Sequence, residues 1–161
     1  MIKTYIGLGS NLGDSLQILT EAVHKLATLG SLQVSQLYQS PPMGPQDQPN
    51  YLNAAVQLQT DLAPLALLDE LQRFEQESGR VRLRHWGERT LDLDLLIYGD
   101  EQIQNERLTV PHVGVLERDF VLRPLLDIDP NLVIKGQLLK SLAILDNPNL
   151  TVLDAGNWAN I

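Results

Sequence analysis

The sequence predicts one α+β domain, and three observations support that fold class. With 161 residues, the chain is long enough for one substantial core and too short for two ordinary domains. Segments with alternating apolar residues, as in β-strands, take turns with segments in which apolar residues recur every three or four positions, as in helices. The composition, 43% hydrophobic and 20% charged, is that of a soluble globular protein. We therefore expect a single domain over residues 1–161.

The N-terminal part predicts a strand, a helix and a second strand. Residues 2–8 form the first strand. Asp14 and Gln17 resemble a capping box at the start of a helix, and Gly30 is suited to end it. Residues 32–39 follow as a second strand, with weaker alternation.

The middle of the chain predicts a third strand, a helix and a fourth strand. The third strand begins at Tyr51, a helix runs from about Pro64 to Ser78, and the fourth strand covers residues 90–98. The resulting β-α-β-β-α-β order is the ferredoxin-like pattern, to which the remaining residues must add C-terminal elements. Among these, residues 124–130 read as a short turn-rich segment with a proline at each end.

The charge indicates the class of ligand, and the cysteine content indicates the cellular compartment. The net charge of −8 argues against a general nucleic-acid binder, and no apolar run approaches the roughly 18 residues of a membrane span. Five of the eight arginines fall within residues 73–89, and a basic focus on an acidic chain suits a small polyanion. With no cysteine and no visible secretory signal, we expect a cytoplasmic protein.

Two carboxylates stand at alternate positions of the fourth strand. Asp92 and Asp94 should project from one face about 6–7 Å apart. The residues expected on the opposite, core-facing side are Leu91, Leu93, Leu95 and Ile97. Paired carboxylates suit a hard cation such as Mg²⁺. The alternative is a solvated strand face, although aspartate is disfavoured inside strands.

An arginine-dense loop precedes this strand. Its guanidinium groups, on Arg80, Arg82, Arg84 and Arg89, have the forked geometry that clamps phosphate oxygens. Metal and arginine beside a phosphate are the usual apparatus of phosphoryl transfer. The alternative is a solvated loop whose arginines pair with nearby glutamates: Glu75, Glu77 and Glu88.

A proline-rich loop over residues 40–50 separates the second and third strands. Loops of this length in compact domains are usually functional or mobile. Just after it, Tyr51 and Asn53 lie on the strand face opposite the core stripe. A flat ring beside an amide suits a planar heterocycle, which stacks on the ring and pairs with the amide.

The glycine-rich segment Gly7-x-Gly9-x-x-x-Gly13 does not predict a dinucleotide site. Its spacing departs from G-x-G-x-x-G, and the chain holds too few β-α units. No P-loop motif is present in the sequence either. A tight strand-to-helix turn is the better interpretation.

Together these segments resemble the 6-hydroxymethyl-7,8-dihydropterin pyrophosphokinase family. The matching segments occur in the family's order: residues 5–13, 40–56, 79–82, 86–87, 89–95 and 108–112. The most specific part is Arg89-Thr-Leu-Asp-Leu-Asp-Leu95 together with the proline-rich loop. The resemblance implies a ferredoxin-like α+β core and transfer of pyrophosphate from ATP to the pterin's hydroxymethyl group, releasing AMP, in folate biosynthesis.

The resemblance also implies roles for individual residues. Asp92 and Asp94 would bind two Mg²⁺ ions that bridge the ATP phosphates, and with Arg80, Arg82 and Arg89 they would form the catalytic group. The residues expected to contact ATP are Glu75, Arg80, Arg82, Trp86, Arg89, Thr109, His112 and Arg118. Those expected to bind the pterin are Ser40, Pro42, Met43, Tyr51, Asn53 and Phe120, with the ring between Tyr51 and Phe120. We expect small-molecule partners only, and a monomer.

The chain departs from the family's pattern in the arginine-dense loop. Glu88 stands where the family usually has proline, and the sequence leaves open whether Arg84 or His85 supplies a basic residue found there in relatives. Two other classes of function remain open. A non-catalytic pterin sensor would leave the paired aspartates beside arginines unexplained, and the net charge counts against a metal-dependent nuclease.

Overall fold

The computed structural model of the chain describes residues 1–11, 14–41, 50–78, 91–112, 114–142, 150–154 and 158–159. In these residues an antiparallel sheet packs against three α-helices. The elements in chain order are β1 (Ile2–Ser10), α1 (Ser15–Leu26), β2 (Ser31–Val34), β3 (Leu37–Ser40), β4 (Tyr51–Thr60), α2 (Pro64–Glu77), β5 (Asp92–Tyr98), β6 (Ile103–Gln104), β7 (Thr109–Val110), α3 (Asp119–Ile128), β8 (Val133–Ile134), β9 (Gln137–Leu138) and β10 (Thr151–Asp154).

The sheet is built around β1 and β4, which pair along their whole length from Ile2 opposite Thr60 to Ser10 opposite Leu52. β5 pairs with the other edge of β1. On the far side of β4, β2 and β3 pair with successive parts of that strand, and β10 pairs with β3. β6–β7 and β8–β9 form separate two-stranded hairpins.

Helices cover both faces of the sheet, so it has two cores. On one face, α1 and α2 bury apolar side chains against those of Ile6, Val56 and Leu95. On the other face, Leu122 and Leu125 of α3 pack with strand residues that point away from the first core. These strand residues are Tyr5, Ala55, Leu96 and Ile97. The prediction of one apolar stripe per strand was therefore incomplete, because alternate residues of the central strands are buried on opposite faces.

The predicted second strand, residues 32–39, is two strands separated by Ser35 and Gln36. Val34 stands opposite Val56 and Tyr38 opposite Asn53, so four steps along one chain match three along β4. The Ala55 N–H keeps a hydrogen-bond partner at this break, because it donates to the Ser35 hydroxyl at 2.9 Å. A side chain thus replaces a main-chain partner across the bulge.

β5 changes face midway, which corrects the prediction for Ile97. Ile6 stands opposite Leu95 and Tyr5 opposite Ile97, so Leu96 is the inserted residue of a bulge. Ile97 consequently joins the α3 core, whereas Tyr98 returns to the core under α1 and α2. Asp92 and Asp94 precede the bulge and share one face as predicted.

The prediction of a turn-rich segment over residues 124–130 is wrong for residues 124–128. Residues 119–128 form α3, with Pro124 inside the helix. Proline in a helix interior costs about 3 kcal/mol through its missing N–H. Leu122 and Leu125, both fully buried, supply the compensating contacts.

Smaller features agree with the sequence. The Asp14 carboxylate caps α1 by accepting the Gln17 N–H at 3.2 Å, although the Gln17 side chain turns to Glu21 instead of completing a capping box. At Gly30 a Cβ would lie 2.0 Å from the Gln59 carbonyl oxygen, so only glycine fits. Within the described residues no helix has the length and hydropathy needed to span a bilayer.

Candidate active site

A cavity of about 420 Å³ opens where β1, β4 and β5 meet the start of α3 and one side of α2. Its lining includes nine residues predicted from the sequence: Ser40, Tyr51, Asn53, Glu75, Asp92, Asp94, His112, Arg118 and Phe120. The volume is that of a small-molecule site. Side chains predicted for ATP, metal and pterin therefore share one cavity.

Two glycines of β1 form the floor of the cavity. Gly9 lies between Asn53 of β4 and Asp92 of β5, and Gly7 lies beside Asp94. Paired residues on neighbouring antiparallel strands point to the same face. The row Asn53–Gly9–Asp92 therefore has a polar side chain at each end and no side chain in the middle, where a ligand can approach the main chain.

The carboxylates of Asp92 and Asp94 fit a magnesium site. Both side chains are half-buried and reach the cavity beside the space that a Cβ on Gly7 or Gly9 would fill. The described residues contain no cluster of three or more acidic, histidine or cysteine side chains that could enclose a metal. Mg²⁺ commonly uses one or two carboxylates, with water and substrate phosphates completing its octahedron.

Glu75 connects α2 to the strand that carries these aspartates. Its side chain is 6% exposed, and its Oε2 accepts the Leu93 N–H at 2.9 Å. Leu93 lies between Asp92 and Asp94 in the chain. Its N–H points to the edge of β5 that does not pair with β1. A carboxylate acceptor makes this a charge-assisted bond, stronger than one between neutral groups.

His112 is fixed by hydrogen bonds of its backbone and its ring. Its N–H donates to the Leu96 carbonyl at 2.9 Å, which attaches the segment after β7 to the edge of β5. Its Nδ1 lies 3.1 Å from the Gly114 N–H, which can only donate. In the neutral ring the proton must therefore be on Nε2, so the imidazole can offer a donor to a ligand oxygen.

The opposite wall combines aromatic rings with amide and hydroxyl groups. Asn53 is buried, and its Nδ2 donates to the Ser40 Oγ at 2.8 Å. Tyr51 on β4 and Phe120 on α3 reach the cavity from two elements. The Arg118 guanidinium carbon lies 5.9 Å from the Phe120 ring centroid, a cation–π distance.

The described cavity lining does not include all of the predicted site residues. Thr109 is exposed on β7 and does not line the cavity. Pro42 and Met43 lie outside the described residues, as does the whole arginine-dense loop from Arg80 to Arg89, with Arg82, Arg84, His85, Trp86 and Glu88. For these residues the roles implied by the resemblance stay predictions.

Part of the cavity lining was not predicted from the sequence. Leu68 and Gln72 of α2 reach the cavity together with Glu75. Their spacing of four and three residues is that of one helix face, so Glu75 and the helical period would have identified them. Val121 and the floor glycines were missed because their role depends on how α3 and β1 are placed in space.

Comparison with known proteins identifies the family. The family model for 7,8-dihydro-6-hydroxymethylpterin-pyrophosphokinase (HPPK) matches residues 5–130. A 2-amino-4-hydroxy-6-hydroxymethyldihydropteridine pyrophosphokinase of Haemophilus influenzae is 54% identical over 146 residues, which cover 88% of this chain and 91% of the relative. A protein of the same name from Methylorubrum extorquens is 46% identical over 150 residues, covering 91% and 95%.

Solved structures agree on the fold. A Plasmodium falciparum HPPK-DHPS crystal structure superimposes with a TM-score of 0.70 at 15% identity, over 88% of this chain and 42% of that longer one. At this identity the likeness concerns the fold alone. With the family model matched over most of the chain and relatives of similar length near half identity, the chain belongs to the 7,8-dihydro-6-hydroxymethylpterin-pyrophosphokinase family and is a pyrophosphokinase of folate biosynthesis.

Proposed function

We propose that the cavity transfers the pyrophosphoryl group of ATP to the hydroxymethyl group of 6-hydroxymethyl-7,8-dihydropterin and releases AMP. One observation carries the proposal. A single cavity holds a carboxylate pair suited to a cation and, across the floor at Gly9, an aromatic and amide wall suited to a flat heterocycle. This separation is what a two-substrate reaction requires, with the phosphates on one side and the acceptor on the other.

The acceptor would lie against Tyr51, Asn53 and Phe120. The two rings give a planar pterin stacking surfaces, and the Asn53 amide can both donate and accept a hydrogen bond. Because Ser40 already accepts one amide N–H of Asn53, the orientation of this group is set before the ligand binds. Tyr51 and Asn53 stand two residues apart on β4, so the same face of the strand presents both.

The phosphates would lie beside Asp92, Asp94 and His112. Magnesium held by the two aspartates, two ions in our proposal, would neutralise charge on the phosphate oxygens. His112 Nε2–H would donate to a phosphate oxygen, and Glu75 would lie near the nucleotide. Arg80, Arg82 and Arg89, outside the described residues, would clamp the same phosphates.

Positioning and charge neutralisation would supply most of the catalysis. The acceptor hydroxyl would attack the β-phosphorus of ATP. The bond between this phosphorus and the oxygen that bridges the α- and β-phosphates would break, and AMP would leave with that oxygen. Among the described hydrogen bonds of the lining, Ser40 is bonded to Asn53 and His112 to Gly114, so neither forms a serine–histidine nucleophile pair, and the sequence has no cysteine. We assign no side-chain general base.

The proposal is tested by product analysis. With ATP, Mg²⁺ and the hydroxymethyl dihydropterin, we expect equal amounts of AMP and pterin pyrophosphate. ADP or orthophosphate as the product would refute pyrophosphoryl transfer, and tight pterin binding without any product would indicate a sensor.

The metal assignment predicts that Asp94→Asn lowers kcat at least about 100-fold, because a cation at a phosphoryl centre contributes several kcal/mol to the transition state. The melting temperature should stay close to that of the wild type, since Asp94 is half-buried at the cavity. The matched control is Asp100→Asn, at an exposed turn just beyond the same strand. Wild-type turnover by Asp94→Asn at saturating ATP would contradict the assignment.

We also propose that the core is ferredoxin-like. The strand order supports this: β2 and β3 act as one broken strand beside β4, followed by β1 and β5, with α1 and α2 on one face. This gives the β-α-β-β-α-β connectivity with antiparallel neighbours throughout.

A further inference from the structure

We propose that Glu75 is a positioning residue for the metal ligands, acting through the main chain of β5. The inference rests on the proposed function, because it assumes that Asp92 and Asp94 bind the cation. The resemblance alone placed Glu75 near the nucleotide. The structure adds a specific contact, since Glu75 Oε2 accepts the Leu93 N–H at 2.9 Å.

The bond is made at the peptide between the two proposed metal ligands. The Leu93 N–H belongs to the peptide that joins Asp92 to Leu93, and the next residue is Asp94. β5 is the last strand on its side of the sheet, and β1 occupies its other edge. The bond therefore holds the outer edge of β5, which pairs with no other described strand, at the peptide between the two carboxylates.

The carboxylate that makes this bond is buried. Glu75 is 6% exposed, whereas Glu77, two residues later on the same helix, is exposed. Burying a carboxylate costs several kcal/mol unless good hydrogen bonds offset it. The buried carboxylate is therefore held against the edge of β5 by its bond to the Leu93 N–H.

The kind of acceptor affects the strength of the main-chain bond. A carboxylate acceptor shortens and strengthens an N–H···O bond relative to a neutral acceptor. Groups that orient metal ligands from outside typically contribute about 10- to 100-fold to metal affinity. We therefore expect loss of this bond to affect cation binding more than acceptor binding, because Asn53 and Tyr51 lie on β4, two strands away.

Two conservative substitutions separate the bond from the charge. Glu75→Gln keeps a carbonyl acceptor at the same reach and removes the charge. Glu75→Asp keeps the charge but is one methylene shorter, so it cannot reach the Leu93 N–H in the same way. The control is Glu77→Ala on the same helix. It removes surface ion pairs with Lys25 of α1 and Arg73 of α2 and leaves the bond to β5 in place.

The primary measurement is cation binding without turnover. Mn²⁺ affinity would be determined by electron paramagnetic resonance in the presence of a non-hydrolysable ATP analogue. We expect Glu75→Asp to weaken it about 10-fold or more, Glu75→Gln by less than about 3-fold, and Glu77→Ala not at all. Pterin affinity, followed by fluorescence, should stay within about 2-fold in all three variants.

Hydrogen exchange at the Leu93 amide supplies a readout of the bond itself. We expect faster exchange in Glu75→Asp and near wild-type exchange in Glu75→Gln. The proposal is overturned if Glu75→Asp binds Mn²⁺ normally, or if Glu75→Gln loses as much affinity as Glu75→Asp. The second result would assign Glu75 an electrostatic role in the site.

The outcome is separable from that of the proposed function. If the wild type forms no AMP but Mn²⁺ binding depends on Glu75 as described, the reaction is wrong and the positioning role stands. If AMP forms at an unchanged magnesium requirement in Glu75→Asp, the reaction stands and the positioning role is wrong. If Glu75→Asp does not fold, the proposal is decided by Glu75→Gln, whose Mn²⁺ affinity must then stay within about 3-fold of the wild type.

Discussion

At the scale of single residues, the floor of the cavity is defined by a missing side chain. Glycine in a strand interior costs about 0.5–1 kcal/mol relative to alanine. At Gly9 a Cβ would stand 3.6 Å from Asn53 Oδ1 and 3.8 Å from the Leu52 carbonyl oxygen, both ordinary contacts. The protein itself therefore has room for a methyl group, and the glycine keeps that room for a ligand.

We predict that Gly9→Ala folds normally and binds the acceptor poorly. The methyl group would occupy the space between Asn53 and Asp92, so KM for the hydroxymethyl dihydropterin should rise at least about 10-fold, since a misplaced reactant loses orientation as well as contact. The melting temperature should be unchanged or slightly higher. Steady-state kinetics and calorimetry measure the two effects.

Gly7→Ala is the comparison for that prediction. Its methyl group would meet Leu96 Cδ1 at 3.4 Å, beside Asp94 and away from Asn53. We expect the acceptor KM to rise by less than about 3-fold. Equal effects of the two alanines would show that Gly9 has no special place in acceptor binding.

At the scale of elements, α3 is attached to the sheet near its C-terminal end while its start forms the cavity wall. Asp127 accepts the Tyr38 hydroxyl at 2.7 Å and the Gln36 main-chain and side-chain N–H groups at 3.2 and 3.1 Å. Gln36 lies at the break between β2 and β3. Its main-chain and side-chain N–H groups there are the donors to Asp127 of the helix. Phe120 and Val121 at the other end of α3 reach the cavity.

The Tyr38–Asp127 bond predicts an alkaline dependence of stability. Burial, followed by the bond to Asp127, raises the pKa of Tyr38 above its usual value of 10.0. The folded state thus keeps the proton when the unfolded chain loses it. The stabilisation is complete below about pH 10 and declines as the pH rises above it.

Tyr38→Phe should therefore lower the free energy of unfolding by about 1–2 kcal/mol near neutral pH. By about pH 11 the difference from the wild type should shrink by about 1.4 kcal/mol, the value of one pH unit above the unfolded pKa. Urea unfolding at several pH values measures this difference. A difference independent of pH up to that point would contradict the assignment.

Tyr98→Phe is the matched control for the link to the cavity. Tyr98 also donates a partly buried hydrogen bond, to the Leu62 carbonyl at 2.6 Å, but its side chain belongs to the core under α1 and α2 and not to the core under α3. Both substitutions should cost stability. We expect only Tyr38→Phe to raise the acceptor KM, because only that residue fastens the helix that carries Phe120.

The elements also show how far sequence reasoning reaches. Period-two alternation located Asp92, Asp94, Tyr51 and Asn53 on the correct faces, because this signal is local to one strand. The shift of Ile97 to the other face was not predictable, since it depends on a one-residue bulge against β1. Helix α3 was missed because Pro124 is a strong local signal against helix, and the buried leucines that outweigh it act only through tertiary packing.

At the scale of the whole molecule, the C-terminal residues complete the fold. β10 extends the sheet beside β3. Trp158 donates its indole N–H to the Ser35 carbonyl at 2.8 Å, and Ala159, 2% exposed, joins the core under α1 and α2. The Ala159 carbonyl lies 2.8 Å from His24 Nε2 on α1, for which the sequence offered no role. No periodic pattern in this segment could have predicted contacts more than 120 residues apart.

These contacts predict that Trp158 contributes stability without contributing to the reaction. Trp158→Ala should lower the free energy of unfolding by about 2–3 kcal/mol, less than for a fully buried tryptophan because the ring is half-buried. Trp158→Phe should lose about 1 kcal/mol, mainly the bond to Ser35. Since Trp158 does not line the cavity, kcat and both KM values of the folded enzyme should be unchanged.

Denaturant unfolding and steady-state kinetics on the same preparations measure both sides of this prediction. Val152→Ala is the control, because Val152 is 47% exposed on β10 and its truncation should cost less than about 0.5 kcal/mol. A Trp158 variant with wild-type stability would mean that the C-terminal segment does not pack on the core in solution. A stable variant with a raised acceptor KM would instead show that the break at Ser35 transmits its position to β3, and through Ser40 to Asn53.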